Sequence, residues 1–396
     1  MIWTGLFAPP YFITDERLAE VSRTSLVGRG DSVAISSIVF MSQDSTNLDM
    51  LRALAVLLVL GDHLLKIQGL THVGDVDINW IGRLGVAFFF VHTSLVLMLS
   101  LDRAKETGWP RTRSFYIRRL FRIYPLSCFF VLLVSILGIP QARIVDRAFE
   151  TSGLTLREIS ANVTLTQNLT GDANILGQLW SLPIEVDMYL LLPFLYFLAS
   201  RSPKRFLYVA WPIAVMSALL VGSIPRLWRL SFASFAPCFV PGVMAFALCR
   251  KCSPRLNRLL WPVFLILLVW LFMLHASLKS SWMICLLLGL AVPFFKEQTN
   301  TVVNALTYRI AKYSYGIYLG HTLCLWLAFA VLRSSPWPAR YMVFAVAIVA
   351  IPWAAYVFVE HPGIQAGKRL SERLATSPAR RDRAPSHANS TVTLSD

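Results

Sequence analysis

Residues Leu84–Leu101 read LGVAFFFVHTSLVLMLSL and contain no Asp, Glu, Lys or Arg. A bilayer hydrocarbon core about 30 Å thick needs roughly 20 apolar residues of helix, so a run of this kind reads as a transmembrane span. The same rule applied outward finds further blocks near 50–67, 119–138, 182–199, 206–223, 231–249, 259–275, 281–295, 313–332 and 341–359. The expected fold class is therefore all-α, a polytopic integral membrane protein with about ten transmembrane helices. The whole chain agrees. Of its 396 residues 56% are hydrophobic and 15% charged, where a soluble domain carries about 25% charged residues. Mean hydropathy is +0.57. Such a composition excludes an ordinary cytosolic enzyme, a disordered chain and a disulfide scaffold.

The formal net charge of +15 reads as basic residues held on one side of a membrane, with no call for nucleic acid. With a cytoplasmic N-terminus, one set of loops gathers Arg103, Lys105, Arg111, Arg113, Arg118, Arg119 and Arg122. The same side holds Arg201, Lys204 and Arg205, then Arg250, Lys251, Arg255 and Arg258, and finally Lys368, Arg369 and Arg373. The opposite loops are poorer in Lys and Arg, which puts both termini in the cytoplasm and requires an even number of spans. Residues 1–46 read as a polar leader, with Met41 a plausible alternative start to Met1, and the expectation is that 1–40 are dispensable. Residues 372–396 read as a disordered cytoplasmic tail, leaving 47–371 as the membrane domain. The segment 140–180 is too short for a domain and suits a lid or gate. No internal repeat is visible, which weakens the reading as an inverted-repeat transporter. Cys249 and Cys252 have CxxC spacing but lack a second pair of ligands nearby, so no metal is expected.

Ionisable groups inside spans are costly, and each is a functional hypothesis. The first span opens with Asn47, an N-cap candidate, followed by Asp49 and Arg52. Arg52 and His63 lie three helical turns apart, about 16 Å along one face. Arg52 otherwise serves as a snorkelling anchor, and His63 as a helix–helix hydrogen-bonding group. Asp62 points off that face, its role open. Arg119 and Arg122 share a face at the cytoplasmic rim; guanidinium pairs suit phosphate, and equally mark topology. In the fourth span Glu185 and Tyr189 line one face while Asp187 points elsewhere. Ser314, Tyr318 and His321 share a face of the ninth span, where His321 also suits plain packing.

Together these pieces resemble the membrane acyltransferase-3 family, whose members O-acylate sugars and other hydroxyl compounds at bacterial membranes. The likeness covers roughly 47–365. It rests on Leu48-Asp49-Met50-Leu51-Arg52 through His63, Arg119-Leu-Phe-Arg122-Ile-Tyr-Pro125, Trp180-Ser181-Leu182-Pro183-Ile184-Glu185 through Tyr189, Ser314 through His321, and Glu360-His361-Pro362. Three features depart from the family pattern. Met50 stands where glycine is usual, His92-Thr93-Ser94 replaces the usual Ser-Gly-Phe, and Asp187 replaces an uncharged residue.

The resemblance implies an acyl-CoA co-substrate, with acetyl as the default acyl group, and no bound cofactor. It implies a hydroxyl acceptor on a polysaccharide, glycolipid or oligosaccharide, and a place in the bacterial cytoplasmic membrane. Arg118, Arg119 and Arg122 would then receive the CoA phosphates, His63 would act as base and Arg52 would hold the donor or stabilise the oxyanion. Glu185, on the far side, would serve the acceptor or a structural arginine. Trp180, Ser181, Tyr189, Tyr318 and His321 would support the acceptor. A proton-coupled transporter or flippase of a glycan or small metabolite is the rival reading, since intramembrane His, Arg and Glu also serve as relays.

Overall fold

The computed structural model describes residues 45–73, 76–139 and 154–376. Most of the expected leader and tail, and the first part of the 140–180 segment, lie outside the described residues.

The first helix, α1, spans Thr46–Ile67. Its N-cap is Ser45, two residues ahead of the expected Asn47, and the Ser45 side chain accepts from the Leu48 amide. The Glu297 carboxylate accepts from Ser45 Oγ at 2.7 Å, Thr46 Oγ1 at 2.9 Å and the Asn47 amide at 3.0 Å. A carboxylate there complements the positive end of the helix dipole. Asn47 is instead a tether, its Nδ2 donating to the Lys296 carbonyl and its Oδ1 accepting from the Gln298 amide.

A two-residue ribbon, β1 (His72–Val73) with β2 (Val76–Asp77), leads into α2, Ile81–Asp102. Next come α3 (Trp109–Ile136), the short α4 (Leu156–Val163) and α5 (Gln167–Thr170), α6 (Ser181–Arg201) and α7 (Pro203–Ser223). A 3₁₀ stretch, Pro225–Phe235, enters α8 (Ala236–Cys249), followed by α9 (Leu260–Leu274) and α10 (Leu278–Ala291). The chain ends with α11 (Thr301–Leu325), α12 (Trp337–Ala355) and α13 (His361–Thr376). Both α11 and α12 run on into π-helical turns, Trp326–Val331 and Tyr356–Glu360.

Seven of the helical stretches are long and apolar enough to cross a membrane. The other three expected spans fall on α1, which carries Asp49, Arg52, Asp62 and Lys66, and on the shorter α9 and α10. The bundle is layered around α2, whose most apolar window is 78% buried, against 17% for that of the peripheral α7. Small residues allow the close approaches to α2. A Cβ on Gly85 would lie 2.6 Å from the Ala55 carbonyl oxygen of α1, and Gly242 of α8 faces Ser94. Outward faces carry exposed Tyr208, Ile266, Val349 and Phe358, as a lipid-facing surface requires. Helix α13 packs back on α3, with Gly363 and Gly367 against Phe121 and Pro125 and a Ser114–Ser371 hydroxyl contact of 2.5 Å.

The described part of the 140–180 segment is a packed cap. Its Asn162 is fully buried, donating to the Glu158 and Ala173 carbonyls and accepting from the Ile175 amide. Gln178 pins the cap to α11 through the Leu319 carbonyl at 2.6 Å and Thr322 Oγ1 at 3.0 Å.

Candidate active site

Helices α1, α2, α3, α6 and α11 enclose a cavity with about 770 Å³ of empty space, its open mouth included. That is a volume suited to a small-molecule ligand or part of a larger one. Ten of the residues singled out in the sequence line it, namely Arg52, His92, Thr93, Arg119, Arg122, Ser181, Glu185, Tyr189, Ser314 and Tyr318. Arg118, Trp180, His63 and His321 are not among its lining residues.

The start of α3 departs from expectation. Hydropathy put the third span at 119, with its arginines at the rim. Helix α3 begins at Trp109, so Arg119 and Arg122 sit roughly 15–20 Å along it. Glu185 lies just over one turn into α6, which enters from the other end. The carboxylate expected on the far side therefore shares one cavity with three guanidinium groups.

Each charged group is held differently. Arg52 Nε donates to Ser314 Oγ at 2.7 Å, and the hydroxyl in turn donates to the Ala311 carbonyl. Arg122 Nη1 pairs with Glu360 Oε1 at 2.5 Å, where the Glu360 side chain is fully buried. The Arg122 guanidinium also stands 6.0 Å from the Tyr315 ring centroid. Glu185 accepts a hydrogen bond from the Tyr189 hydroxyl one turn on. Arg119 has no hydrogen-bond or ion-pair partner among the described residues, although it faces the same space. Asp187 points away, as expected, and accepts from Asn168 Nδ2 of the cap at 2.7 Å.

Hydroxyls frame the cavity beside these charges. Tyr318 donates to the Gln178 carbonyl at 2.8 Å and meets Ser181 Oγ at 2.6 Å. Beyond Tyr318 lie the two histidines. The rings of His63 and His321 meet edge to face, with centroids 4.8 Å apart. His63 Nδ1 faces the Val59 carbonyl at 2.9 Å and His321 Nδ1 the Tyr318 carbonyl at 2.7 Å. A carbonyl only accepts, so both neutral rings carry their proton on Nδ1 and present the Nε2 lone pair. His321 Nε2 is buried with no partner among the described residues. The Tyr318 ring lies 6.3 Å from that of His321 and joins the pair to the cavity. Asp62, buried against Gly82, accepts from Lys66 Nζ at 2.6 Å.

Sequence reasoning missed the part played by Glu360. The signal was present, a carboxylate closing an apolar span within the Glu360-His361-Pro362 motif. The π-helical turn Tyr356–Glu360 brings it to Arg122; such turns recur at functional sites. None of the six cysteines is in a disulfide.

A helical bundle with seven membrane-length apolar stretches and a charged cavity at its heart defines a multi-pass membrane protein. The chain belongs to the acyltransferase-3 family, whose model, described as an acyltransferase domain, matches residues 45–357. Two proteins of Staphylococcus aureus, strains COL and Mu50, each named "Putative O-acetyltransferase", are 25% identical to it over 319 residues. The alignment covers 74% of this chain and 46% of each of theirs, so the chain spans about half the length of these relatives. A Caenorhabditis elegans protein named "Regulator of hypoxia-inducible factor 1" is 30% identical over 125 residues, 31% of this chain and 24% of its own. No solved structure matches the chain.

Proposed function

We propose that this protein is a membrane-embedded O-acyltransferase of the bacterial cytoplasmic membrane. It moves an acyl group, by default acetyl, from acyl-CoA to a hydroxyl of a sugar in a polysaccharide, glycolipid or oligosaccharide. The observation that carries the reading is the gathering of Arg52, Arg119 and Arg122 in one cavity, next to two imidazoles that present free Nε2 lone pairs.

CoA carries a pyrophosphate and a ribose phosphate, which guanidinium groups bind bidentately. Arg119, unpaired among the described residues, is the receptor held ready for such an anion, with Arg118 nearer the start of the helix as a further contact. Arg122 is already oriented by Glu360. The thioester then extends toward Tyr318 and the histidine pair. His63 Nε2 takes the proton from the acceptor hydroxyl as that oxygen attacks the thioester carbonyl. A carbon–oxygen bond forms, the carbon–sulfur bond breaks, and the imidazolium returns the proton to the departing thiolate. Arg52, about 16 Å from His63 along α1 and bonded to Ser314, holds the donor. Glu185, Trp180, Ser181, Tyr189 and His321 support the acceptor and the geometry around it.

A positioned base contributes typically 10²–10⁴-fold. His63→Ala in full-length protein in membranes is therefore expected to lower acyl transfer by at least about a hundredfold while leaving insertion intact. Release of free CoA thiol, with mass spectrometry of the acylated product, is the measurement. Near-normal transfer by this variant would overturn the assignment. A transporter would move substrate with no thiol released at all.

A further inference from the structure

Helix α2 supplies one whole wall of the cavity through Val86, Phe89, Phe90, His92, Thr93 and Val96. Positions 86, 89, 93 and 96 recur at helical spacing and so form a continuous stripe. Only His92 and Thr93 in this wall are polar. His92 is 6% exposed, yet neither ring nitrogen has a hydrogen-bond partner among the described residues. The Thr93 hydroxyl likewise has none, whereas its neighbour Ser94 donates to the Phe90 and Val91 carbonyls. The His92 ring and the Thr93 hydroxyl therefore line the cavity with hydrogen-bonding capacity left for a ligand.

Resting on the acyltransferase reading above, we propose that His92 and Thr93 form the subsite that reads the hydroxyls of the acceptor, a neutral sugar ring. A neutral imidazole offers one donor and one acceptor, and a threonine hydroxyl offers both. Neighbouring hydroxyls on a sugar offer the same complement. Phe89 and Phe90 on the same wall supply aromatic surface for the ring's C–H face, an apolar wall with a few placed polar groups. His92 acts as a specificity residue: it bonds the acceptor and takes no proton in the reaction.

The test uses the full chain in lipid nanodiscs, acetyl-CoA, and methyl hexosides together with their monodeoxy analogues, one hydroxyl removed at a time. Wild-type protein is expected to lose about ten- to a hundredfold in kcat/KM for the analogue lacking the hydroxyl that His92 reads. His92→Leu is expected to lower kcat/KM for the parent sugar by a similar factor, through KM, and to accept parent and analogue equally. Half-saturation by acetyl-CoA stays unchanged. His92→Asn, which keeps a donor and an acceptor, restores part of the discrimination. Thr93→Val, which is isosteric, weakens discrimination without refolding the helix.

An unchanged parent-to-deoxy ratio in His92→Leu overturns the subsite while the acyltransferase reading stands. So does a loss confined to kcat, which would place His92 in the chemistry. If wild-type protein releases no thiol with any hexoside, the sugar-acylation reading fails and the subsite fails with it.

Discussion

Arg119 and Arg122 stand one turn apart on α3 and face one cavity, yet they are held differently. Arg122 is built into the fold by its 2.5 Å pair with the fully buried Glu360. Arg119 has no such partner among the described residues, so folding loses little when it is removed. Removing one member of a buried pair leaves an uncompensated charge and costs about 3–5 kcal/mol. Arg122→Ala is thus expected to unfold at lower denaturant by about that amount, and Glu360→Gln by less, because a hydrogen bond survives. Arg119→Ala is expected to keep wild-type stability and raise half-saturation by acyl-CoA at least about tenfold, the loss of one charge-assisted contact. Denaturation in detergent and donor titration of both variants separate the roles. Equal stability losses would show that Arg119 too is structural. The sequence marked both arginines, through their helical spacing and their place at the head of an apolar run. It held nothing to tell them apart, because the difference is a carboxylate 238 positions away.

At the scale of elements, most apolar blocks were legible to within about five residues, since lipid demands a contiguous run, but α3 and α11 begin well ahead of their expected blocks at 119 and 313. The start of α3 was not legible. A hydropathy window stops at a charge, so it began the third span at its arginines, whereas α3 begins at Trp109. The turns of α3 ahead of Arg119 are supported by α13 packed along them, a contact no local pattern announces. Close helix approach was equally hidden, because a glycine looks alike in sequence wherever it lies. Gly85→Ala would drive a methyl group to 2.6 Å from the Ala55 carbonyl oxygen. Overpacking of this kind typically costs about 1–3 kcal/mol. Gly222, where an added Cβ would meet nothing within 4 Å, is the control. There the change to alanine is expected to be neutral or stabilising by up to about 1 kcal/mol, from helix propensity. Thermal inactivation of the two variants side by side checks the contrast, and equal Tm values would contradict this account of α1 against α2.

For the whole molecule, two contacts between α1 and α11 bear on topology. Arg52 meets Ser314, and further along both helices His63 meets His321. The helices therefore run in the same direction, which requires an odd number of crossings between them. Counting every apolar helix as a span satisfies this, and it puts both termini on the side rich in Lys and Arg. The least secure members are α9, at 15 residues, and α10, whose 14 residues are extended by a 3₁₀ turn. At 1.5 Å per residue each reaches only about 22–25 Å, short of a core about 30 Å thick. Local thinning of the bilayer accommodates such a mismatch for a fraction of a kcal/mol per Å. A re-entrant hairpin of α9 and α10 would preserve the same parity, so only the loop between them decides. Alkaline phosphatase inserted at His275–Ser277 is active only outside the cytoplasm, and a fluorescent protein at the same point matures only within it. We expect phosphatase activity there, and fluorescence from fusions in the Arg103–Gly108 loop and at the C-terminus. Fluorescence at His275–Ser277 would reduce the count by two and make α9 and α10 a hairpin dipping in from the cytoplasmic side, against α2 at the bundle's core.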